Sequence, residues 1–141
     1  MDSAFMNTMS DLLAARQIEV WRFEFPYMAE RRSGGKKRPS PKADTLLEDY
    51  RAVIQAARTT RPSRPLLIGG KSMGGRVASM VAQDAFNAGH VIGLVCLGYP
   101  FHPPGSPQKL RTDHLTALAV PTLICQGERD PFGAREEVTA Y

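Results

Sequence analysis

Cysteine is scarce in this sequence, with two in 141 residues, and there is a single tryptophan. Two cysteines cannot staple a chain of this length, so a disulfide-built miniature is excluded and an apolar core must hold the fold. No apolar run approaches the roughly 18 residues that span a bilayer. The opening MDSAFMNTMSDL also lacks the basic stretch of a secretory leader. No membrane association and a cytoplasmic location are therefore expected, and a reducing compartment gives Cys96 and Cys125 no reason to pair. No group of His, Cys, Asp and Glu has metal-ligand spacing, so neither metal nor cofactor is implied. Wholesale disorder is excluded too, because 43% hydrophobic and 23% charged residues are globular proportions. The length suits one domain able to bury about two-thirds of its unfolded surface.

Acid is missing from one stretch. Residues 31–42, RRSGGKKRPSPK, hold six basic side chains and no carboxylate, and they account for the whole positive balance of +4. Without them twelve basic residues face fourteen acidic ones, so the body is slightly acidic. The stretch has no aromatic between its charges and no helical period, which is poor equipment for nucleic acid. It reads as a solvated, mobile loop, or else as a docking point for an anionic surface or a protein partner.

Apolar periodicity supplies the architecture. Phe5, Met9, Leu12 and Leu13 recur at helical spacing over 3–16, with Asp2 or Ser3 as cap. Residues 18–25, IEVWRFEF, alternate as a strand with one covered face, and Pro26 stops it. Thr45 and Glu48 have capping-box spacing at the start of a helix over 45–59. The runs 65–70, 91–97 and 121–126 are continuously apolar, as expected of parallel strands buried on both faces. Helices are expected between them at 74–88, stopped by Gly89, and near 107–119, with another beginning at Gly133. Alternation of this kind predicts an α/β fold, a doubly wound, mostly parallel sheet with helices on both faces.

The sharpest motif is Gly70-Lys71-Ser72-Met73-Gly74, which fits G-x-S-x-G between an apolar strand and an amphipathic helix. Such a turn exposes a serine nucleophile on strained backbone, with small residues two before and two after it avoiding collision. The competing reading is a glycine-rich turn in which Ser72 merely caps the helix. A phosphate-binding loop is excluded, because it needs glycine at position 65, occupied by Pro65, and a flexible loop where Leu66, Leu67 and Ile68 form a strand. A serine nucleophile requires a base and an acid that orients it. Asp130 follows the strand at 121–126 and lies on the same sheet edge as Ser72, with Glu128 as the alternative acid.

With these residues in view, the chain resembles the alpha/beta-hydrolase superfamily. It is most similar to a small branch related to dienelactone hydrolases, which includes hydrolase-like domains of a testis-expressed protein and of an NSL acetyltransferase-complex subunit. The stretches RFEFPYM at 22–28, GGKSMGGR at 69–76, CLGYPFHPPG at 96–105 and QGERDPF at 126–132 carry the resemblance. It implies an alpha/beta-hydrolase fold and serine-dependent hydrolysis of a small-molecule ester, thioester or lactone. Ser72 would be the nucleophile, Asp130 the triad acid and the backbone N–H of Met73 an oxyanion donor. Tyr27, Tyr99 and His102 would line the substrate pocket.

Two departures qualify this. The superfamily's triad runs serine, acid, histidine, yet His90, His102 and His114 all precede Asp130. The loop that supplies the second oxyanion donor, and its strand, have no counterpart before the first helix. The expectation is an internal piece of a longer hydrolase, with little or no turnover of its own. The alternative is a non-catalytic hydrolase-like module that binds a protein. His90 and His114 read as structural, and Cys96 and Cys125 as buried core thiols.

Overall fold

Residues 3–32, 34 and 41–141 are described by a computed structural model of the chain, and they belong to two units, Met1–Pro41 and Lys42–Tyr141. In the first unit, helix α1 (Ala4–Ala14) begins at Ser3, whose hydroxyl accepts the Met6 N–H at 3.3 Å. The alternating stretch 18–25 does not form the expected strand. Alternation encodes only a covered face; strand identity comes from a ladder with a neighbour. Here Phe23, Phe25 and Tyr27 use the period locally, with Phe25 edge-on to Phe23 at 5.2 Å and stacked on Tyr27 at 6.3 Å. Pro26 ends this segment by opening helix α2 (Pro26–Arg32), a position where its missing N–H costs nothing. Arg31 and Arg32 lie in the last turn of α2, while 33 and 35–40, most of the basic stretch, are outside the described residues.

The second unit starts with a 3-10 turn (Ala43–Leu46) that runs into helix α3 (Leu47–Thr60). That turn displaces the expected capping box. Thr45 donates its hydroxyl to the Lys42 carbonyl at 2.8 Å, and Glu48 pairs with Arg51 instead. There follow strand β1 (Leu67–Lys71), helix α4 (Met73–Asn87), strand β2 (Gly93–Leu97), strand β3 (Thr122–Cys125) and helix α5 (Arg135–Ala140). The three strands form a parallel sheet in the order β1-β2-β3, with Ile68, Leu94 and Thr122 in register across it. Gly89 ends α4 at φ +69°, the left-handed conformation that stops a helix cheaply.

Helix α4 covers the sheet face carrying Ile68, Leu94 and Cys96 and is backed by α3. The opposite face, with Leu67, Leu123 and Cys125, is exposed. Cys125 is therefore not the buried thiol expected, because β3 is an edge strand with one open face; Cys96 is fully buried. The expected helix at 107–119 shrinks to a 3-10 turn at Leu115–Ala117. Its backbone is spent on tertiary contacts: the Arg111 N–H donates to Phe101 and the Arg111 carbonyl accepts the Tyr99 hydroxyl. Among the described residues no helix is long and apolar enough to cross a membrane.

Two contacts fix β1. The Tyr50 hydroxyl donates to the Gly69 carbonyl at 2.6 Å and accepts the Gly69 N–H at 3.0 Å. One phenol on α3 thus satisfies a donor and an acceptor on the strand edge turned away from β2. Burial raises the ionisation of that phenol far above its ordinary range, so it stays protonated and able to donate. At the end of β1, a Cβ on Gly70 would lie 2.5 Å from the Gly74 carbonyl carbon and 2.8 Å from the Gly75 nitrogen. A Cβ on Gly74 would meet nothing. The residue three after Ser72, not two after, is the one with no room: a Cβ on Gly75 would lie 2.7 Å from the Gly70 carbonyl oxygen.

Tyr50→Phe should lower stability by about 1–3 kcal/mol, the cost of orphaning buried backbone groups, measured by denaturant unfolding. Gly70→Ala should abolish cooperative unfolding or cost several kcal/mol, whereas Gly74→Ala should be neutral or stabilise by up to about 1 kcal/mol.

Candidate active site

Ser72 occupies the turn between β1 and α4 with φ +52° and ψ −118°, one of two described non-glycine residues with positive φ. Such a conformation costs about 1–3 kcal/mol and persists only when its surroundings dictate it. They do. The Ser72 N–H donates to the Leu97 carbonyl on β2 at 3.0 Å, and its carbonyl accepts the Arg76 N–H at 3.1 Å. The side chain makes no cap hydrogen bond to the helix. Ser72 is thus at the cap position without capping, and among the described residues no hydrogen bond claims its hydroxyl. Met73, the first residue of α4, has an N–H with no acceptor inside the helix.

Ser72 lines a cleft of about 700 Å³ together with Leu97, Gly98, Gly127, Asp130 and Phe132. The loop after β3 carries Asp130 there. One carboxylate oxygen of Asp130 accepts the Phe132 N–H at 2.9 Å, and the other faces Gly98, where a Cβ would stand 3.4 Å away. Glu128, the alternative acid, is an exposed side chain engaged by Arg135 at 2.9 Å. Of the two acids, Asp130 is the one whose orientation the loop backbone sets.

None of the three histidines lines the Ser72 cleft. His102 is buried, with Nδ1 2.9 Å from the Pro103 carbonyl and Nε2 3.2 Å from Glu137 Oε2. It lines a neighbouring cavity of about 630 Å³ that shares the wall 128–131 with the Ser72 cleft. His114 places Nε2 2.8 Å from Ser79 Oγ, beside the short 3-10 turn rather than inside a helix. His90 follows α4, its N–H bound to the Ala85 carbonyl, at the far edge of the sheet from Ser72. Tyr99 is fully buried, its hydroxyl donating to the Arg111 carbonyl at 2.8 Å, and it lines neither cavity. Tyr27 belongs to the first unit, stacked on Phe25.

Sequence reading missed two partners. Glu137 joins α5 to the site: its Oε2 accepts the Ala134 N–H at 2.8 Å as well as facing His102. Ser79, on the apolar face of α4, is 1% exposed and tied to His114. A serine in the middle of that apolar stripe was the available signal.

The Ala134 N–H first, and then His102, hold the Glu137 carboxyl below its ordinary range. A carboxylate depressed in the folded state adds stability above its unfolded value near 4.3, lost as the pH falls through the folded value. Glu137→Gln should therefore lower the unfolding temperature at pH 7, and the difference from wild type should shrink as the pH falls below about 4.3.

No solved structure matches the chain. The family model described as an alpha/beta hydrolase domain matches residues 1–141, the whole sequence. The match agrees with a parallel sheet whose first strand ends in a strained serine turn at the start of a helix. The chain belongs to the alpha/beta hydrolase domain family.

Proposed function

We propose that the intact protein is a serine-dependent hydrolase of an ester, thioester or lactone, nearest the dienelactone-hydrolase-related branch. The observation that carries this reading is the strained φ of Ser72, whose hydroxyl no hydrogen bond claims among the described residues, in the cleft that Asp130 shares. A structural turn has no reason to hold a serine in that conformation when glycine would do so without cost.

In this reading Ser72 Oγ adds to the acyl carbon as a base takes its proton, and the carbonyl oxygen becomes an oxyanion facing the Met73 N–H. Collapse expels the alcohol or thiol and leaves an acyl-serine. Water, deprotonated by the same base, then attacks the acyl carbon and releases the acid. Asp130 holds the base in the correct tautomer and stabilises its protonated form. The base comes from outside these 141 residues, since His102 and His114 have their ring nitrogens engaged away from Ser72 and His90 sits at the opposite edge. The chain by itself then has little or no turnover, because loss of a base alone costs orders of magnitude in rate. Asp130→Asn in the intact protein should lower kcat by about 10⁴-fold while leaving the fold unchanged.

A fluorophosphonate probe tests the proposal. The intact protein should be labelled at Ser72 and Ser72→Ala should not. Absence of labelling in a folded intact protein would overturn hydrolysis and leave a non-catalytic binding module. Efficient hydrolysis of a p-nitrophenyl ester by the 141-residue chain, abolished by Ser72→Ala, would overturn the external base.

A further inference from the structure

The loop that presents Asp130 is held by a segment remote from it in sequence. Within the loop the chain closes on itself. The Asp130 N–H donates to the Gly127 carbonyl at 3.1 Å, the Gly133 N–H to the Asp130 carbonyl at 3.1 Å, and the Phe132 N–H to the Asp130 carboxylate at 2.9 Å. Such bonds set the loop's shape but leave its place against the sheet to other elements. The segment after β2 supplies that place. The His102 N–H donates to the Phe132 carbonyl at 3.2 Å, so Phe132 is bound on one side to Asp130 and on the other to His102. Next to it, a Cβ on Gly133 would lie 2.8 Å from Phe101 Cδ2, so the loop backbone rests directly on that ring.

The ring of His102 reaches the same loop by a second route. Its Nε2 is 3.2 Å from Glu137 Oε2, and that oxygen also accepts the Ala134 N–H at 2.8 Å. Nδ1 faces the Pro103 carbonyl at 2.9 Å. A carbonyl only accepts, so Nδ1 carries a hydrogen and fixes the ring from that side. Residues 132–134 are thus gripped at one end by the backbone of His102 and at the other by its side chain acting through Glu137. That side chain is 3% exposed, so little water competes for the grip.

We propose that His102 and Glu137 are positioning residues for the Ser72 site, holding residues 132–134 so that Asp130 turns its carboxylate into the cleft. The proposal rests on the hydrolase reading above and extends it to two residues that do not line that cleft. Phe132 is the link, because its carbonyl is held by His102 while its N–H holds one carboxylate oxygen of Asp130. The other oxygen, facing Gly98, is left for the base. Release of the grip lets the loop shift, and a misplacement of about 1 Å can cost about 10²-fold in rate.

The test is a double-mutant cycle on the rate at which a fluorophosphonate labels Ser72 in the intact protein. Glu137→Ala should slow labelling by about 10–100-fold. In an Asp130→Asn background the same substitution should change the rate by less than about twofold, because the carboxylate it positions is already gone. If Glu137→Ala fails to fold, His102→Gln, which keeps the backbone bond to Phe132, carries the same cycle with the same expectation. Equal slowing with and without the Asp130 carboxylate, or labelling that Glu137→Ala leaves unchanged, overturns the proposal while Ser72 stays a nucleophile. Absence of labelling in the folded wild-type protein overturns the hydrolase reading, and the positioning role with it.

Discussion

Strand β1 and the first turn of α4 approach so closely at Gly70 that backbone lies on backbone, with no room for a single methyl group. Everything at the candidate site depends on that approach. It forces the chain to reverse within one residue, and the residue at the reversal is Ser72, pinned by its N–H to Leu97 and by its carbonyl to Arg76. The same closeness sets Gly75 against Gly70 and the Cys96 side chain, so α4 lies flat on β1 and β2. Burial then pushes the Cys96 thiol up to about 12, which makes it packing material rather than a reactive group.

The sheet's far edge has a different solution. A strand edge exposes N–H and C=O groups that invite pairing with another chain. At Gly69 a side chain substitutes for a strand, since the Tyr50 hydroxyl is at once donor and acceptor. The face bearing Leu67, Leu123 and Cys125 is open by contrast. The described sheet thus has one finished face, against α4, and the candidate site is built from the loops that leave the ends of its strands.

Those loops bring Ser72 and Asp130 to one cleft, whose lining includes none of the three histidines. His102 is near in sequence to the cleft wall, yet both ring nitrogens are engaged, one by Pro103 and one by Glu137. His114 Nε2 faces the hydroxyl of Ser79, which donates to the Arg76 carbonyl, and that of Tyr99, which donates to the Arg111 carbonyl. The order of acid and histidine along the chain departs from the superfamily's, and in the fold the ring nitrogens of His102 and His114 face groups other than Ser72.

Local pattern in the sequence determined the three apolar strands, the helix at 73–87, the stop at Gly89 and the serine turn, because each depends on residues within a few positions of one another. Ser72 and Asp130 were legible for the same reason: each follows directly on a strand, and strands of a parallel sheet end on one edge. Only the tertiary structure decided what depends on neighbours remote in the chain. The alternation at 18–25 builds an aromatic cluster instead of a ladder, since a strand exists only beside another strand. The helical period at 107–119 yields to hydrogen bonds from Tyr99 and to Phe101, and Cys125 is exposed because burial is a property of position in the sheet. The pairing of Ser79 with His114, and of His102 with Glu137, joins residues 35 positions apart in both cases, a distance over which no periodicity carries information.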